Sequence, residues 1–137
     1  MIESRDYILA VIERVAQALA ALLADTARVA GDEDEDPEME RALDDLLAGL
    51  DAHAYRLDPA TLMQLLRDDE RALAFAVLQL RKGLRQREYE SGSARIRCAY
   101  GLLLLLASRP GRVQAAAQPL VRALAALLDL KAPIAGR

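Results

Sequence analysis

The chain has 137 residues, enough for one domain with a core of its own. Hydrophobic residues make up 53%, aromatics only 4%, and Trp is absent, so small and aliphatic side chains must fill that core, which suits closely packed helices. A net charge of −3 argues against a dedicated nucleic-acid binder, and a single cysteine excludes an internal disulfide.

The first helix is predicted over residues 4–28. Ser4 supplies a cap, and Asp6 suits the positive end of the helix dipole. Ile8, Ile12, Val15, Leu19 and Leu22 recur at alternating spacings of four and three, which places all five on one face. Ala16, Ala18, Ala20 and Ala21 widen that face. It is buried either inside the chain or against a second copy. Several helices carry such wide apolar faces, and surplus apolar surface usually marks an interface. The five stripe residues are therefore the candidate self-interface of a homodimer.

Residues 31–37 then break the pattern. Gly31 and Pro37 bracket five consecutive acids, Asp32 to Asp36, which repel one another and predict an exposed acidic loop. Asp32, Asp34 and Asp36 match positions one, three and five of an EF-hand loop. That motif needs Gly at six and Glu at twelve, and the chain has Pro37 and Leu43 there. No calcium site is expected.

Asp36 and Pro37 form a cap-plus-proline start for a second helix, with Met39, Leu43, Leu46, Leu47 and Leu50 facing inward and Gly49 near its end. Residues 51–57 read as a connection. Asp58-Pro59 repeats the start signal for a short third helix, with Leu62, Leu65 and Leu66 inward. Asp68 or Asp69 opens a fourth helix that runs to about Arg87 and buries Leu73, Ala76, Val77, Leu80 and Leu84. Residues 88–93 read as a linker, because Ser91-Gly92-Ser93 is a turn signal. The fifth helix, residues 94–108, is apolar nearly all round its second half, which predicts a central position. Arg109-Pro110-Gly111 ends it. The last helix, residues 112–130, carries Val113, Ala117, Leu120, Leu124 and Leu127 at the four-three rhythm. Pro119 marks either a kink or the true start of that helix. β-branched residues never alternate over a useful run, so no strand is predicted. The expectation is one all-α domain over residues 1–137, a bundle of five to six helices.

No catalytic, cofactor or metal constellation is legible. His53 is the only histidine and has no metal-ligand spacing around it. Cys98 lies within an apolar helix, where thiols usually pack and stay inert. Gly83, Gly92 and Gly101 match neither a P-loop nor a dinucleotide fingerprint. Arg81, Lys82, Arg85 and Arg87, then Arg95, Arg97, Arg109 and Arg112, form a late basic cluster. Cations at the end of the fourth helix complement its dipole, and Arg95 and Arg97 point in different directions. The polar start, residues 1–6, does not resemble a signal peptide, and the longest apolar run, residues 98–107, is about half of a membrane span. A cytoplasmic protein is expected.

Two resemblances add to this reading. Arg5-Asp6-Tyr7-Ile8, Ile12-Glu13 and Leu19-Ala20, followed by the stretch from Leu57-Asp58 to Leu106, are similar to a family of small all-helical bacterial proteins of unknown function. That resemblance implies no active-site residues. The segment from Arg71 to Ala107, with Gly83 in one helix and Ala94 and Gly101 in the next, resembles a tetratricopeptide-type helix pair, although no second copy of the unit occurs. The resemblance implies an antiparallel hairpin with a groove.

The function expected is non-catalytic: self-association, and binding of another protein in a helical groove. Tyr89, Arg97 and Tyr100 are the candidate groove residues. One alternative is a small-molecule regulator or enzyme with a pocket between the fourth and fifth helices, drawing on these three residues and Cys98. Another is a nucleic-acid accessory protein using the late arginines.

Overall fold

The computed structural model describes residues 10, 12–21, 41, 43–45, 47, 50 and 53–131, with backbone alone at 112 and 127–131. Among these residues the chain is all-helical, without strands, and its six helices pack together. We number them α1 (residues 12–21), α2 (around residues 43–45), α3 (Pro59–Leu66), α4 (Asp69–Arg85), α5 (Glu90–Ala107) and α6 (Arg112–Lys131). A 3₁₀ turn, Ala54–Arg56, sits in the connection before α3. The acidic loop at 31–37 lies outside the described residues, as do Ile8, Leu22, Met39, Leu46 and Gly49.

Local chemistry explains the helix starts. Asp58 caps α3: its carboxylate accepts from the Thr61 amide at 3.1 Å and the Thr61 hydroxyl at 2.7 Å, and Pro59 opens the first turn. The Thr61 hydroxyl, with help from its amide, holds the Asp58 carboxyl below the usual carboxylate range. Asp68 caps α4 in the same way, accepting from the Arg71 amide at 2.7 Å. Only Arg67 separates α3 from that cap. It adopts φ 78° and ψ −40°, and the Asp68 amide donates to the Leu66 carbonyl at 2.9 Å. This is a γ-turn with its central residue in a strained region.

α4 and α5 form an antiparallel hairpin. Gly83 lies against Gly92 near the turn, Arg95 reaches Gln79 further along, and Arg109 pairs with Asp69 at 3.5 Å across the far end. α5 also packs against α3, α6 and the 3₁₀ turn, so it is the hub of the bundle. Its Ala-and-Leu second half meets that need: Ala99, Leu102, Leu103 and Leu106 are all buried. α6 presents Val113, Ala117, Leu120 and Leu124 to the same core, so its predicted stripe holds over these four positions.

The structure corrects two expectations and sharpens two more. The fifth helix starts at Glu90, not at residue 94, because Gly92 lies within its first turn and permits close approach to the preceding backbone. Leu65 faces outward at 48% exposure, since the inner face of α3 is taken by Leu62 and Leu66. α6 spans its predicted range and runs through Pro119, so of the two readings of that residue the new start is excluded; proline costs the helix one ladder hydrogen bond. The connection before α3 holds a 3₁₀ turn in which Ala54 and Tyr55 are buried.

Candidate interaction surface on the fifth helix

Residues three and four apart share one side of a helix. On α5 that rule groups Ser93, Arg97, Tyr100 and Leu104. Arg97 is exposed, Tyr100 is half-buried against the core, and Leu104 is exposed at 43%. An adjoining side of the helix makes the hairpin contact through Gly92, Arg95 and Ile96, which crowd around Gly83. The outward side therefore presents an aromatic ring and a leucine one turn apart, next to a guanidinium.

Arg97 and Tyr100, two of the three groove residues expected from sequence, thus come together, but on the outward side of α5 and not between α4 and α5. Tyr89 is the residue before the first turn of α5 and is 66% exposed. Eleven residues of helix separate it from Tyr100, about 16 Å along the axis, so the two rings do not converge on one pocket. Cys98 is buried on another side, and burial pushes its thiol up to about 11, against a smaller opposing effect from the charge of Arg95. Of the four resources of the pocket alternative, Arg97 and Tyr100 are therefore neighbours, Tyr89 lies further along the axis and Cys98 stands apart.

The expected self-interface lies elsewhere. Ile12 and Leu19 are 1% and 4% exposed within a single copy, in one core cluster with Ala16, Leu43 and Leu47. Val15 is half-buried against that cluster. Ile8 and Leu22 lie outside the described residues. The chain's own core occupies the Ile12 and Leu19 side chains, so they have no apolar surface left for a second copy.

Among the described late basic residues, several are drawn into contacts within the fold. Arg81 is buried, and Lys82 approaches Asp44 at 3.9 Å. Arg95 is partly buried, donating from Nη1 to the Gln79 side-chain oxygen while its guanidinium stacks 4.2 Å from the Tyr55 ring centre. Arg56 covers the same ring at 5.0 Å and pairs with Glu90 at 3.7 Å. This cation–π cluster ties the 3₁₀ turn to the start of α5. Sequence reasoning missed it because Tyr55 sits in a segment read as plain connection. The adjacent apolar residues Ala54 and Tyr55 in that segment were the available signal.

Among the described residues, no group of three or more His, Cys, Asp or Glu side chains is placed to hold a metal ion. No helix among them is long and apolar enough to cross a membrane. No family model, curated protein or solved structure matches the chain, so neither resemblance seen in the sequence contributes to the functional reading.

Proposed function

We propose that the chain is a non-catalytic helical protein that acts by binding another protein through the outward face of α5. The observation that carries this reading is the pairing of Tyr100 with the 43%-exposed Leu104 on the hub helix of the bundle. A core helix whose apolar residues serve only its own fold would turn polar side chains outward along this side. Tyrosine and arginine are enriched among the residues that anchor interfaces, and Leu104 adds apolar area beside them. The occupant suited to such a ridge is an amphipathic helix or apolar groove on a partner, with Arg97 choosing an acidic rim. A second copy of the chain would use this face rather than the α1 stripe. The single cysteine fits action in a reducing compartment such as the cytoplasm.

The test compares the wild-type chain with Leu104→Glu and Tyr100→Ala as baits in host lysate, with circular dichroism confirming that both variants keep their helix content. Sedimentation of each purified protein measures self-association in parallel. A partner, or a dimer, that the wild type holds and Leu104→Glu loses supports the reading. Equal retention by all three proteins would overturn it.

A further inference from the structure

We draw no further inference here: the strongest candidate, the partly buried side-chain cluster of Tyr55, Gln79 and Arg95 between the 3₁₀ turn and the α4–α5 hairpin, is accounted for by its packing role, and its one unpartnered atom, Arg95 Nε, sits on an arginine too exposed to mark a ligand site.

Discussion

Replacing Gly92 with alanine tests the tightest point of the hairpin. A Cβ on Gly92 would lie 1.9 Å from the Gln86 carbonyl oxygen, 2.3 Å from its carbon and 2.8 Å from the Arg87 nitrogen. Ordinary contact begins at 3.4 Å, so the start of α5 and the turn before it must separate by about 1.5 Å. All three obstacles are backbone atoms, which cannot swing aside as a side chain does. Overpacking of this kind costs about 1–3 kcal/mol, and the upper end applies when backbone must move. Alanine returns about 1 kcal/mol through its higher helix propensity. The net loss is then about 2 kcal/mol. With an unfolding entropy of ~2.1 cal/mol/K per residue, a chain of this length loses about 7 °C in Tm. Thermal and urea unfolding followed by circular dichroism measure both quantities. An unchanged or higher midpoint for Gly92→Ala would refute the close approach, since propensity alone favours alanine. Gly83→Ala provides a companion test. Its Cβ would meet Ile96 Cγ1 at 2.7 Å and the Gly92 carbonyl at 2.9 Å. Both substitutions push the same crossing apart, so the double variant should lose less than the two single losses combined.

Ile12→Ala should cost about 2–5 kcal/mol, because the side chain is fully buried among neighbours that cannot all close the cavity; loss of a dimer with unchanged unfolding would return the α1 stripe to an interface role. Cys98 should alkylate slowly in the folded chain: a thiol raised from 9.0 to about 11 holds about a hundredfold less thiolate near neutral pH. Iodoacetamide modification at the rate of the urea-unfolded chain would contradict that. Because the folded value is the higher one, the stabilisation from keeping Cys98 neutral is intact below about pH 9 and lost as pH rises towards 11. The urea midpoint should fall over that window in the wild type and fall less in Cys98→Ala. At Arg67, glycine relieves backbone strain of about 1–3 kcal/mol but gives back up to about 1 kcal/mol in unfolded-chain entropy. Arg67→Gly should therefore match or exceed wild-type stability, and a clear loss would show that the γ-turn is unstrained.

The starts of α3 and α4 were legible because their chemistry is local. Asp58 and Asp68 each accept an amide three residues ahead, and a sequence displays that spacing directly. The four-three stripe of α6 and the central place of α5 were legible for the same reason: a helix must bury its apolar side, and the period states which side that is. What a side packs against is a separate matter. The α1 stripe satisfies the pattern of an internal helix and of a dimer seam equally, and only the burial of Ile12 and Leu19 in the shared core assigns them to the interior. Gly92 makes the same point at one residue. Glycine between two serines reads as a turn, yet here it lies inside a helix and its missing Cβ is what lets two backbones meet. Arg97 and Arg95 are two residues apart and chemically identical, but one faces solvent and the other stacks on Tyr55. Sequence by itself determined that this chain is helical, where its capped helices begin and which faces are apolar, because those depend on hydrogen bonds and periodicities within a few residues. Tertiary structure alone decided which faces meet each other and which, like Tyr100 with Leu104, remain outward, because burial depends on side chains brought together from distant positions.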